Sequence, residues 1–167
     1  MLGFKYVLNA SNPSMMTIEK AQPSDHRELT TIQRASKAHW GYSKKLLESW
    51  ADELLMTESY IAHEDHFVFK LVLDGKIIGF YSYYFFEPFL GYLDNLFLHP
   101  DYIGKGYGRM MFDRAMKEMK EQGACTILLI SDPNAERFYS KNGFIIIGRK
   151  PSAISGRYLP IMSCDVG

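Results

Sequence analysis

Apolar positions at Leu29, Ile32, Ala35 and Ala38 recur every three or four residues, the spacing of one face of a helix. Before them, residues 17–21 read as a short strand, and Pro23-Ser24-Asp25 is a helix start with Ser24 or Asp25 as cap and Glu28 in the first turn. His39-Trp40-Gly41-Tyr42-Ser43 interrupts the pattern. Ser43 then caps a second predicted helix carrying Leu46, Leu47, Trp50, Leu54 and Leu55. The spacing changes to strand-like over 67–73 and 76–86, joined by Asp74-Gly75, a two-residue hairpin signal. A third strand follows at 91–98. From 109 to 122 the helical period returns with Phe112, Ala115, Met116 and Met119 on one face, and Gly123 stops it. Residues 125–130 are nearly all apolar, as in a strand covered on both faces. Asp132-Pro133 caps another helix that ends at Asn142-Gly143, and 144–149 and 158–164 are the last strands.

This order predicts an α/β fold (α+β, with a mixed sheet) in which a mostly antiparallel central sheet is flanked by helices, with one βαβ crossover around 98–109. The 167 residues suffice for one domain with a real core, assigned to 16–167. Residues 1–15 carry turn-rich Asn9-Ala10-Ser11-Asn12-Pro13-Ser14 and a second start-like Met16. They read as an extension: an added strand, a disordered leader or an artefact of the assigned start. Lys+Arg and Asp+Glu both number 19, which gives no support for a nucleic-acid footprint. No apolar run approaches a membrane span and no secretory leader is visible, so no membrane partner is expected. Two cysteines, Cys125 and Cys164, make no disulfide framework, and a reducing cytoplasm is the default location.

The crossover carries the chemistry. His99-Pro100-Asp101-Tyr102-Ile103-Gly104-Lys105-Gly106-Tyr107-Gly108-Arg109 joins an apolar strand to a helix. Glycines at alternate positions leave backbone N–H groups unobstructed where the positive end of a helix dipole also points, a seat for phosphate or pyrophosphate. A nucleotide P-loop needs Lys followed by Ser or Thr, and Arg109-Met110 stands there instead. A dinucleotide loop counted from Gly104 and Gly106 would put its third glycine where Arg109 stands, and should follow the first strand of a parallel set.

The stretch from Leu96 to Gly108 resembles the pyrophosphate loop of the GCN5-related N-acetyltransferase (GNAT) superfamily. A second signature of that family follows at the right distance: Asp132-Pro133-Asn134-Ala135-Glu136-Arg137-Phe138-Tyr139-Ser140-Lys141-Asn142-Gly143-Phe144. The resemblance covers roughly 17–165 and concentrates in 91–144. It implies a GNAT-like sheet splayed around a cofactor strand, and a transferase moving an acetyl group from acetyl-CoA to a primary amine of a small molecule or peptide. It also implies that coenzyme A is held by the backbone of Leu96, Phe97 and Leu98, by Ile103, Gly104, Lys105, Gly106, Tyr107, Gly108 and Arg109, and by Asn134 and Tyr139. Tyr139 would be the general acid toward the departing sulfur. The family's loop commonly opens with Arg or Gln where Ile103 stands, so one side-chain contact is absent.

Beside the resemblance, the apolar positions Leu93, Leu96 and Leu98 change parity near Asp94-Asn95, as a one-residue bulge would require. Asp94, on this strand, is the first candidate for the base that deprotonates the amine, ahead of Glu87, Tyr92 and a water chain. Trp40 and Tyr42, between the first two helices, and Tyr83 on the hairpin are candidate acceptor-wall residues. His63-Glu64-Asp65-His66 lacks further ligands at metal spacing and reads as a polar turn, so no metal is expected. Cys164 has no His–acid partner nearby in sequence. Two other readings remain: an acyltransferase using another acyl-CoA or a hydroxyl acceptor, and a non-catalytic coenzyme-A-binding module. Homodimers are frequent in the family, and no residue here decides that state.

Overall fold

A computed structural model describes residues 5–8 and 14–167. The strands are β1 (Lys5–Leu8), β2 (Ser14–Lys20), β3 (Phe67–Leu73), β4 (Lys76–Glu87), β5 (Leu90–Leu98), β6 (Thr126–Ile130), β7 (Ile145–Pro151) and β8 (Tyr158–Asp165). The helices are α1 (His26–His39), α2 (Lys44–Ser49), α3 (Glu58–Ala62), α4 (Tyr107–Glu121) and α5 (Glu136–Ser140). Strand order is β1-β2-β3-β4-β5-β6-β8-β7. β5 and β6 pair in parallel across the α4 crossover, while β1–β2, β2–β3, β6–β8 and β7–β8 pair antiparallel. The chain is thus the expected mixed α/β fold with helices flanking a mixed sheet. Part of the proposed extension, 1–4 and 9–13, lies outside the described residues. Lys5–Leu8 pair with Ser14 to Thr17.

The chain divides into two compact units, one running up to Ser82 and resuming at Asn95–Arg114, the other comprising Tyr83–Asp94 and Ala115–Gly167. The first has a core of Leu29, Ile32, Met56, Ile61, Val68, Ile77 and Phe80, with Phe97 packed against it. Asp25 accepts from Gln22 N–H at 2.7 Å and from Lys70 Nζ at 2.8 Å, tying the start of α1 to β3. The Asp74-Gly75 turn forms as expected, with φ of 50° and 81°, both positive as a tight hairpin requires. In the second unit Gly91 lies against Met119, Ala124 and Ile127, where a Cβ would stand 3.1 Å from the Met119 sulfur and push it back by a few tenths of an ångström. Leu93, Ile127, Leu129, Phe144 and Met162 are buried there.

Three expectations are corrected. The second helix, capped by Ser43, stops at Ser49, and Trp50 and Leu54 are buried beyond its end although helical spacing joins them to it. A separate short helix, α3, follows, with the Thr57 hydroxyl accepting from Tyr60 N–H at 3.0 Å. In β6 only Ile127 and Leu129 are buried while Thr126, Leu128 and Ile130 are half-buried, so this strand alternates instead of being covered on both faces.

Candidate active site

The loop between β5 and α4 is built from backbone. His99 N–H donates to Ile78 O at 2.8 Å and closes the end of β5 onto β4. Pro100–Tyr102 make one 3-10 turn, capped by the His99 ring, which accepts from Asp101 N–H at 3.3 Å. Ile103 N–H donates back to Pro100 O at 3.1 Å. Gly104 and Gly106 then take φ of 82° and 86°, a region that costs any other residue about 1 kcal/mol or more. Met110 is the first helical residue to bond back, to Gly106 O at 3.0 Å. Among the described residues, no acceptor within the chain is seen for the N–H groups of Gly104, Lys105, Gly106, Tyr107, Gly108 and Arg109. Among the described residues, nothing beyond the chain neighbours and the helix's own backbone comes within 4 Å of where a Cβ would stand on Gly104, Gly106 or Gly108. Unbonded donors facing open ground at the start of a fifteen-residue helix fit a diphosphate. Ile103, expected in this seat, contributes no N–H to it, because its own is spent on Pro100.

Charged side chains stand around the seat. Lys105 Nζ lies 5.2 Å from the centre of the Tyr102 ring, and Lys76 Nζ lies 5.9 Å from the same ring. Lys76 went unnoticed in the sequence, since only the hairpin fold carries it to Tyr102. Arg109 Nε is held by both Asp113 oxygens at 2.7 and 2.8 Å, one turn along α4.

β5 changes facing as expected. The Tyr92 ring lies 5.1 Å from Tyr84 and 5.3 Å from Phe86. Asn95 Nδ2 donates to Ser82 Oγ at 2.8 Å, and the Phe97 ring lies 5.6 Å from Phe80. Phe80, Ser82, Tyr84 and Phe86 share one face of β4 by alternation, so their partners on β5 should all have the same parity. Tyr92 is even while Asn95 and Phe97 are odd, which requires one extra residue near Asp94. The β5–β6 ladder ends at Tyr92↔Leu128, although β6 continues to Ile130 and β5 to Leu98. Leu96, Phe97 and Leu98 are only half-buried despite being apolar. Gly79, also missed in the sequence, lets β5 lie close: a Cβ there would stand 2.9 Å from Phe97 O and 2.9 Å from Met111 Cε.

In the second unit, Asp132 organises the segment that carries Asn134 and Tyr139. Its Oδ1 accepts from Asn134 N–H at 3.0 Å, from Asn134 Nδ2 at 2.9 Å and from an Arg157 guanidinium nitrogen at 3.3 Å. The Asn134 amide nitrogen is thus turned to Asp132. Asp132 and Arg157 are both mostly buried, so their pairing restrains the β7–β8 connection as well. Tyr139 is buried against Phe138 and Phe144, with ring centres 5.3 and 5.8 Å away. Burial pushes its hydroxyl well above the ordinary tyrosine range, so it keeps its proton at any physiological pH.

Asp94 is exposed on β5, and its charge adds to burial in raising the hydroxyls of Tyr92 and Tyr84. Trp40 is exposed at 45%, and Tyr42 is half-buried, edge-on to Trp50 at 5.2 Å. Tyr83 is not a wall residue. It is 0% exposed, and its hydroxyl takes a hydrogen bond from Gln122 Nε2 at 2.7 Å beneath α4. Its neighbour Tyr84 points to the opposite face. Burial, then Asp165, raise the Cys164 thiol, which disfavours a thiolate nucleophile there.

Comparison with known proteins gives these arrangements a context. The acetyltransferase (GNAT) family model matches residues 27–144. An uncharacterised N-acetyltransferase, ycf52, of Pyropia yezoensis is 26% identical over 85 residues, 51% of this chain. That match spans 47% of the relative, so the chain covers about half the length of such curated relatives. The crystal structure of the PaiA N-acetyltransferase of Thermoplasma acidophilum in complex with coenzyme A superposes with a TM-score of 0.74 at 25% identity, covering 90% of this chain and 99% of that one. The ribosomal-protein-S18-alanine N-acetyltransferase of Escherichia coli shares the fold, with a TM-score of 0.67 at 23% identity over 90% of this chain and 94% of that one.

Proposed function

The chain belongs to the acetyltransferase (GNAT) family, and from that premise we propose that it transfers the acetyl group of acetyl-CoA to a primary amine by direct attack on the thioester. The observation that carries this reading is the row of unbonded N–H groups from Gly104 to Arg109, facing open ground at the start of α4. The coenzyme A held by the similar Thermoplasma protein supports the same donor here. In this reading the loop N–H groups take the pyrophosphate. The backbone of Leu96, Phe97 and Leu98, beyond the end of the β5–β6 ladder, takes the pantetheine arm and offers an N–H to the thioester oxygen. Asn134, placed by Asp132 at the start of the segment that carries Tyr139, is proposed to contact the pantetheine arm.

An amine reaches the site as an ammonium ion and must lose a proton before it attacks. Asp94, exposed on β5, is the carboxylate proposed to take it. The amine nitrogen then bonds to the carbonyl carbon, the carbonyl oxygen becomes an oxyanion, the nitrogen gives its remaining extra proton to solvent, and collapse of the oxyanion breaks the C–S bond and expels the coenzyme A thiolate. Tyr139 serves the last step. An ordinary tyrosine, near pKa ~10, is already a weaker acid than a thiol near ~8.5, and burial widens that gap. Tyr139 therefore stabilises the thiolate by a hydrogen bond that strengthens as charge reaches sulfur, and full proton transfer to the sulfur is left to solvent.

A thiol-release assay over a panel of polyamines, amino acids, aminoglycosides and peptide N-termini, with coenzyme A binding measured in parallel, tests the proposal. Release with at least one amine supports it. Coenzyme A binding without release on any amine points to a non-catalytic binding module, and absence of binding removes the donor.

A further inference from the structure

The β4–β5 hairpin carries an aromatic surface that the transfer chemistry leaves unused. Tyr84 and Phe86 are two apart on β4 and so share a face, and Tyr92 on β5 meets both. The three ring centres form a near-equilateral triangle: Tyr84–Phe86 5.2 Å, Tyr84–Tyr92 5.1 Å and Phe86–Tyr92 5.3 Å. Interplanar angles of 82°, 41° and 60° tilt the rings against one another. This face is the one turned away from α4, since Tyr83, between Tyr84 and Ser82 in sequence, reaches Glu118 of that helix and Gln122 just past its end. Phe86 is 54% exposed, and Tyr84 and Tyr92 are half-buried. Asp94 lies two residues beyond Tyr92, close enough for its charge to act on the hydroxyls of both tyrosines.

An exposed apolar cluster beside a carboxylate suits one class of small ligand better than others. A neutral alkyl group gains nothing from the carboxylate, and an anion is repelled by it. A cation gains from the negative faces of the rings and from the carboxylate together. We propose that Tyr84, Phe86 and Tyr92 form a platform for a fixed positive charge on the acceptor, which is therefore a primary amine that carries a second cationic group. This rests on the acetyl-transfer reading for the identity of the acceptor. The two nitrogens take separate roles: one gives its proton to Asp94 and attacks, and the other stays charged over the rings. The rings touch each other at these distances, so the cation sits on their outer surface and not in a gap between them.

The test uses two acceptors of the same shape. One is (4-aminobutyl)trimethylammonium. The other is 5,5-dimethylhexylamine, in which carbon replaces the charged nitrogen. The wild type is expected to use the cation about tenfold better in kcat/KM, through KM, within the range of cation–π pairs. Phe86→Leu keeps apolar bulk but removes the ring, and should shrink that preference about threefold with little change for the neutral compound. Equal use of both compounds by the wild type overturns the proposal, since the rings are then only an apolar surface. A second measurement does not depend on turnover: tetramethylammonium chloride is titrated while NMR follows the ring protons of Tyr84 and Tyr92. Saturable shifts, absent with sodium chloride and weakened in Phe86→Leu, support the platform. They do so even where no amine is acetylated, in which case the failure belongs to the acetyl-transfer reading alone. Rings that do not respond to tetramethylammonium overturn the platform.

Discussion

The glycine loop before α4 and the aromatic cluster of Tyr84, Phe86 and Tyr92 on the β4–β5 hairpin both reach the surface, and both are proposed to meet ligands, but they are made of different material. The loop presents peptide N–H groups. Its side chains could be exchanged widely so long as Gly104 and Gly106 hold their positive φ and nothing fills the ground before Gly108. The aromatic cluster presents rings, not backbone groups. A backbone site can hold the same diphosphate while its side chains vary, whereas a side-chain site changes ligand with each substitution. That difference explains why the donor is readable from a family pattern and the acceptor is not.

The largest effect should come from filling the loop. Gly108 has ordinary φ, so Gly108→Val adds bulk without backbone strain and places it in open ground. Coenzyme A affinity is expected to fall at least ~100-fold by calorimetry, as expected if several charge-assisted hydrogen bonds are lost together. The melting temperature should stay nearly constant. Unchanged affinity would mean that the phosphates sit elsewhere.

Tyr139→Phe comes next. It removes the donor proposed to meet the developing thiolate charge, for which losses on the order of 10²-fold in kcat are typical. Affinity for coenzyme A should change little, and a variant with full turnover would remove Tyr139 from the mechanism. The same variant sharpens a pH effect. Burial raises the Tyr139 hydroxyl, so the folded state holds that proton more tightly than the unfolded chain. Its contribution to stability is complete below about pH 10 and is lost as pH rises above that value. Denaturant unfolding at pH 7 and pH 11 should show the wild type losing more stability than Tyr139→Phe across that interval.

A smaller effect separates packing from conformation. Gly79 needs no special φ, yet its missing Cβ lets Phe97 O and Met111 approach. Gly79→Ala should cost about 1–3 kcal/mol in denaturant unfolding, the usual range for overpacking. A neutral result would mean that β5 shifts freely there.

These contrasts also show what could be read from the residues alone. Asp74-Gly75 and the alternate glycines of the loop were legible because each demands a backbone conformation that few residues adopt. The bulge near Asp94 was legible because parity along a strand is strict, and Leu93, Leu96 and Leu98 break it. Tyr83 was misplaced because parity separates two faces without saying which of them α4 covers. The α3 helix escaped because five residues are too short for a helical period, leaving only the Thr57 cap as a signal. Gly79 and Lys76 escaped because their importance comes from residues distant in sequence, Phe97 and Met111 for one and Tyr102 for the other. Asp132 looked like a plain cap until the β7–β8 connection brought Arg157 onto its carboxylate.

The central claim is that backbone N–H groups of the loop form the donor seat, and amide NMR during a coenzyme A titration tests it most directly. Large, saturable shifts are expected for the amides of Gly104, Lys105, Gly106, Tyr107, Gly108 and Arg109. The Ile103 amide, already bonded to Pro100 O, should move far less. Binding that leaves the Gly104 to Arg109 amides in place, or that moves Ile103 as much as Gly106, would contradict it.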